Sequence, residues 1–164
     1  MAGKRVAQYG LLVALALVLS YIEAQIPAFF VVPGMKLGLT NVVVLVALYR
    51  MGSKDALILN LVRILLVAFT FGNTFSMLYS LAGGFFSYLA MLAGKKSKAF
   101  SAVGVSVLGG VAHNIGQILV AMAVLETGKL VYYLPFLLVS GLAAGVLTGV
   151  LGGQLIRRLP GRSL

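Results

Sequence analysis

The chain has 164 residues, 61% of them hydrophobic and only 10% charged, with a formal net charge of +10. A water-soluble domain carries about 25% charged residues, so this composition excludes a soluble globule and describes a single integral membrane domain. Cysteine is absent, and the acids are Glu23, Asp55 and Glu126 beside one histidine, His113; disulfides, thiolate metal sites and paired aspartate-rich magnesium sites go with them, and neither a metal nor a cofactor is expected.

The apolar runs are continuous rather than alternating, which predicts helices and not a β-barrel. Punctuation divides them into six spans, over about 6–22, 36–49, 54–71, 73–92, 100–125 and 131–155. The basic N-terminus followed by an apolar run resembles a signal peptide, but no small-x-small cleavage site leads into a soluble domain, so it reads as the first span. That span carries small residues at Gly10 and Ala14, and an offset pair at Ala16 and Ser20, which suit close packing against another helix of this chain or of a partner. The loop "EAQIPAFFVVPGM" follows, broken by Pro27, Pro33 and Gly34. Its prolines limit helix and its apolar residues have no role in water, so it is expected to act as a lid. Span two falls short of the about 20 residues a bilayer requires and should begin beneath the surface. "RMGSKD", Gly72-Asn73, "GKKSK" and "ETGK" supply the remaining turns. Gly94-Lys95-Lys96 lacks the first glycine and the hydroxyl of a phosphate loop. No internal repeat is evident.

Ten basic residues, Lys4, Arg5, Arg50, Lys54, Lys95, Lys96, Lys98, Arg157, Arg158 and Arg162, fall on one side of this arrangement, and Lys36 and Lys129 on the other. By the positive-inside rule both termini are cytoplasmic in a multi-pass protein of a prokaryotic plasma membrane. The same rule accounts for the net charge, and no basic domain is present to hold nucleic acid.

Arg63 lies at the centre of span three, where an arginine costs about 2.5–3.5 kcal/mol to insert. Asn60 and Thr70 share its helical face. Its partner is either a structural carboxylate, Glu23 or Glu126, or the anionic part of a ligand. His113, Asn114 and Gln117 lie within one turn of span five, flanked by Gly109, Gly110 and Gly116. They are either interhelical hydrogen-bonding groups or the floor of a binding site at the depth of Arg63. The other uncharged polar groups gather at the outer ends of the spans, which suggests a cavity opening outward. Lys36, Arg63 and His113 are expected to meet an anion, Asn41, Asn60, Asn73, Tyr79, Asn114 and Gln117 to orient it, and Phe29, Phe30, Phe69, Phe71 and Phe75 to wall it.

"PGMKLGLTNVVVLVAL" at 33–48 and "AHNIGQILVA" at 112–121 resemble the membrane proteins called heptaprenyl diphosphate synthase component I, or the Gx transporter family. That family in turn resembles the substrate-binding S components of energy-coupling factor (ECF) vitamin transporters. The resemblance implies an all-α bundle of six transmembrane helices and an outward pocket capped by the loop after helix one. It also implies docking through a small-residue face on helix one, here Gly10, Ala14, Ala16 and Ser20, onto an ECF scaffold with separate ATPase subunits. The expected function is capture of a small, partly apolar, anionic molecule related to a vitamin, isoprenoid or quinone. The alternative is a non-catalytic membrane subunit of a polyprenyl diphosphate synthase; a self-sufficient secondary carrier is disfavoured by the missing repeat and the missing intramembrane acid. With no acid pairs, the chain is not itself expected to be an enzyme.

The charge asymmetry is directly testable. Topology reporters fused at Leu164 and inserted in the 126–130 turn are expected to report cytoplasmic and external positions respectively. An external C-terminus would overturn both the orientation and the outward cavity.

Overall fold

The computed structural model describes residues 2–25 and 36–159. Among them six α-helices follow one another: α1 (Ala2–Gln25), α2 (Asn41–Arg50), α3 (Ser53–Phe71), α4 (Thr74–Ser97), α5 (Ala102–Val124) and α6 (Leu134–Arg158), with a 3₁₀ helix at Gly128–Tyr133 before the last. No strand occurs among the described residues. Four stretches, Arg5–Gln25, Thr74–Ser97, Ala102–Val124 and Gly128–Arg158, are long and apolar enough to cross a membrane. The other two helices depart from that pattern for visible reasons. α2 has only 10 residues, and α3 carries Lys54, Asp55 and Arg63 along its 19.

The second helix begins at Asn41 and not at residue 36. Gly38 interrupts it, with a φ of +83° that residues bearing a Cβ rarely adopt. The helix then runs as "NVVVLVAL", every residue of which from Asn41 to Leu48 is buried. Valine is an indifferent helix former, so this helix owes its stability to burial on all sides rather than to propensity. It packs against each of the other five helices and forms the axis of the bundle.

Around that axis, α5 lies between α4 and α6, the two most extensive helix pairs in the molecule. The α5–α6 seam is built from glycine. Gly141, Gly145 and Gly149 recur every four residues along one face of α6. A Cβ on Gly141 would fall 2.8 Å from the Gly110 carbonyl oxygen, one on Gly145 2.6 Å from Val107 Cα, and one on Gly149 2.8 Å from Val103 Cα. Backbone thus meets backbone along three turns, the close approach that small residues allow within lipid. Inside the seam the Ser106 and Thr148 hydroxyls bond each other at 2.9 Å.

α1 is attached more lightly. Its buried stripe is Leu12, Ala16, Ser20 and Glu23. A polar clasp secures each end: Arg5 donates to Asp55 at the start of α3, and Ser20 shares a hydrogen bond with Thr40. Ala16 is fully buried and Ser20 is 2% exposed. They therefore face the protein's own core, which corrects the expectation that they form a docking surface. Gly10 and Ala14 lie on the exposed side of α1, and a Cβ added to Gly10 would have no atom within 4 Å.

Two contacts tie basic residues to neighbouring helices. The α1 and α3 N-termini meet through Arg5 and Asp55, and Lys95 near the end of α4 donates to the Leu48 carbonyl near the end of α2. Residues 26–35, with Phe29, Phe30, Pro27, Pro33, Gly34 and Met35 of the expected lid, lie outside the described residues, as do Arg162 and the Lys4 and Phe71 side chains.

Gly145→Leu is expected to lower the melting temperature of the detergent-solubilised protein by an amount equivalent to about 1–3 kcal/mol or more, because the new side chain meets backbone. Gly153→Leu, on a glycine with nothing within 4 Å of its Cβ position, is expected to melt like wild type. Equal behaviour of the two variants would show that the glycine seam does not govern stability.

Candidate functional site

The polar residues converge on the short non-helical stretch 36–40. This stretch runs in among apolar helices, where unpaired peptide groups are costly. Two helices satisfy it. The Gln117 carboxamide on α5 pairs with the Lys36 peptide in both directions: Lys36 N donates to Oε1 at 2.8 Å and Nε2 donates to the Lys36 carbonyl at 2.8 Å. The buried Glu23 carboxylate at the end of α1 accepts from Gly38 N at 2.5 Å, Leu39 N at 3.2 Å and the Thr40 hydroxyl at 3.2 Å. Glu23 thus acts as an anion in a cradle of backbone donors.

Next to this stretch, α3 supplies Arg63 and Asn60. Arg63 is 6% exposed. Its Nε donates to Asn60 Oδ1 at 3.0 Å, and an Nη donates to Asn41 Oδ1 at 3.3 Å. Asn60 in turn donates to the Gly84 carbonyl at 3.1 Å. Among the described residues the one ion pair is Arg5–Asp55, so Arg63 touches no carboxylate there. Glu23 lies within electrostatic range of it but is bonded elsewhere. Glu126 sits on the exposed turn after α5. Of the two candidate structural partners, neither makes the pair.

His113 on α5 fills a slot between two glycines. A Cβ on Gly83 of α4 would fall 2.8 Å from its Nδ1, and one on Gly38 3.0 Å from its Cδ2. The ring lies near the Gly83 carbonyl, but neither nitrogen reaches a partner in hydrogen-bond geometry. Asn41 Nδ2, 2.9 Å from the same Gly38 position, is buried and unpartnered as well. Most buried polar groups in folded proteins are paired, so the three orphaned nitrogens, two on the His113 ring and one on Asn41, mark the cluster. Lys36 is half-buried and lies within electrostatic range of Glu23 and Arg63.

Lys36, Asn41, Asn60, Arg63, His113 and Gln117 are therefore neighbours, although they come from α2, α3, α5 and the stretch before α2. The remaining sequence candidates have other employment. Asn114 donates to the Leu137 carbonyl at 2.7 Å and to Ser140 Oγ at 3.0 Å, tying α5 to α6. Asn73 is the exposed N-cap of α4, accepting from Ser76 N at 2.8 Å. Tyr79 packs with Ile118, Ala121, Leu130 and Leu137. Thr70 is exposed and bonds the Leu66 carbonyl one turn back. Phe69 and Phe75, at 84% and 56% exposure, point away from the bundle and do not wall the cluster.

Sequence reasoning missed Glu23 as a member of the site in its own right, and missed Gly38, Gly83 and Gly84. The signals were available. A Gly-Gly pair inside an apolar span marks close approach, and here one glycine seats His113 while the other receives Asn60. Gly38 stands two residues before the Thr40-Asn41 helix start, where a turn residue belongs.

The comparisons agree with the sequence resemblance at the level of family. The family described as heptaprenyl diphosphate synthase component I matches residues 12–155. No curated protein and no solved structure matches the chain. The matched stretch takes in every residue of the cluster from Glu23 to Gln117, and it runs from within α1 almost to the end of α6. On that coverage, the chain belongs to the heptaprenyl diphosphate synthase component I family.

Proposed function

We propose that this protein is a membrane-embedded binding subunit that captures a small, partly apolar, anionic molecule at the cluster formed by Lys36, Asn41, Asn60, Arg63, His113 and Gln117. The observation that carries this reading is Arg63: a buried cation near the middle of its helix, touching neutral carboxamides and, among the described residues, no carboxylate. An ionised group within a membrane bundle is costly and marks function unless it is paired internally. The orphaned nitrogens of Asn41 and His113 beside it are binding capacity that the described protein does not use.

In this reading the chain works as an S-component-like subunit. Both termini are cytoplasmic, the six-helix bundle sits in the bilayer with the short α2 enclosed at its axis, and Gly10 and Ala14 on the open side of α1 meet a scaffold that couples to ATPases. The family's description favours a second reading, a non-catalytic membrane subunit of a prenyl diphosphate synthase. Purification from a native-like host separates the two. Co-purifying scaffold and ATPase subunits support the importer, and a co-purifying soluble synthase supports the synthase subunit.

Arg63→Met tests the site itself. Wild-type protein extracted from native membranes is expected to carry a small anionic molecule detectable by mass spectrometry, and the variant to arrive empty. The empty variant is expected to melt close to empty wild type, because removal of a buried charge offsets the loss of its two hydrogen bonds to carboxamide oxygens. A fall equivalent to about 3–5 kcal/mol would show that Arg63 compensates Glu23 as a structural partner. His113→Ala is expected to weaken retention in the same direction, by less.

A further inference from the structure

The cluster carries a formal charge that can be counted. Arg63 and Lys36 contribute two positive charges and Glu23 one negative, with His113 counted as neutral. Among the described residues no other acid or base is part of the cluster: Asp55 holds Arg5 at the opposite end of α1, and Glu126 is on the exposed turn after α5. The net charge is therefore +1. In a poorly screened interior, each charge left unbalanced weighs against binding far more than in water.

The inventory of donors agrees. The backbone cradle for an anion in this region, formed by Gly38 N and Leu39 N, is already filled by the protein's own Glu23. What remains among the described residues is Asn41 Nδ2, one N–H of a neutral imidazole, and the two cations. That set matches a head group with two acceptor oxygens and one charge. It does not match a diphosphate, which carries about two or more negative charges at neutral pH and needs a larger ring of donors.

We infer that the ligand is a monoanionic amphiphile with a carboxylate-type head, met by Arg63, Lys36 and Asn41, and that the site discriminates against a prenyl diphosphate. This rests on the binding reading above, but narrows it to one head-group chemistry. Glu23 is then a specificity-determining residue: it sets the charge of the site while bonded to the chain's own backbone.

The test uses the full-length protein in lipid nanodiscs and three probes with one shared tail: farnesoic acid, farnesyl diphosphate and farnesol. Wild type is expected to bind the acid at least about tenfold tighter than either of the others, and Arg63→Met to bring the acid down to the level of the alcohol. Glu23→Gln keeps an acceptor for Gly38 N and Leu39 N but raises the cluster to +2, and is expected to shift the acid-to-diphosphate ratio about tenfold toward the diphosphate. Lys36→Gln moves the charge the other way, to zero, without touching the clasp, since Gln117 holds the Lys36 backbone and not its side chain. It is expected to weaken the acid about tenfold and leave the alcohol unchanged. Tighter binding of the diphosphate by wild type overturns the monoanion assignment and leaves the binding reading standing. Failure of all three probes to bind, or binding indifferent to Arg63→Met, overturns both.

Discussion

Non-helical backbone inside an apolar bundle needs partners, and the arrangement of this protein follows from how residues 36–40 find theirs. Glu23 and Gln117, on helices far apart in sequence, are committed to the peptide groups of this stretch. That commitment fixes where α2 begins and locks the end of α1 to it. It also brings Gly38 against His113 and Asn41 and gathers the polar cluster. Remove the two clasps and the stretch has neither a reason to enter the bundle nor a defined position in it.

The polar residues within the helices divide into two kinds. Asn114, Ser106 and Thr148 find their partners inside the bundle and fasten helices together, as polar groups in lipid commonly do. Arg63 is also bonded, but only to the neutral carboxamides of Asn60 and Asn41, and His113 and Asn41 keep nitrogens with no partner among the described residues. The difference lies in pairing and not in residue type. A neighbouring His-Asn pair, 113 and 114, splits between the two kinds although both residues are buried on one helix.

That split explains how much of the site was legible in sequence. Composition and continuous apolar runs were enough for an all-helical membrane bundle and for the division into six segments. The cost of an arginine at mid-helix pointed to Arg63, and the isolated histidine pointed to α5. Helical periodicity placed Asn60 beside Arg63 correctly and Thr70 wrongly, because a threonine near a helix end can satisfy itself on its own backbone. Asn73 and Tyr79 look like ligand groups in a list of polar residues, yet one caps a helix and the other fills space. The small residues of α1 could be read as a face but not assigned to one, since Ala16 points inward while Ala14 points out. Glu23 was visible as an acid, but its partners are backbone atoms of a segment whose conformation no side-chain pattern records. Gly141, Gly145 and Gly149 stood in plain periodicity, and their meaning came only with the facing backbone of α5.

The encasement of α2 has a consequence for biogenesis. At 10 residues it is only about 15 Å long, too short to hold itself across a bilayer as it leaves the ribosome. Every neighbour that buries it, apart from α1, is synthesised after it. The segment must therefore wait, at the interface or paired with α3, until α5 and α6 have arrived to enclose it. The axis of the finished bundle is then among the last parts to reach its final position, and the cluster at its tip is assembled only when the whole chain has been made.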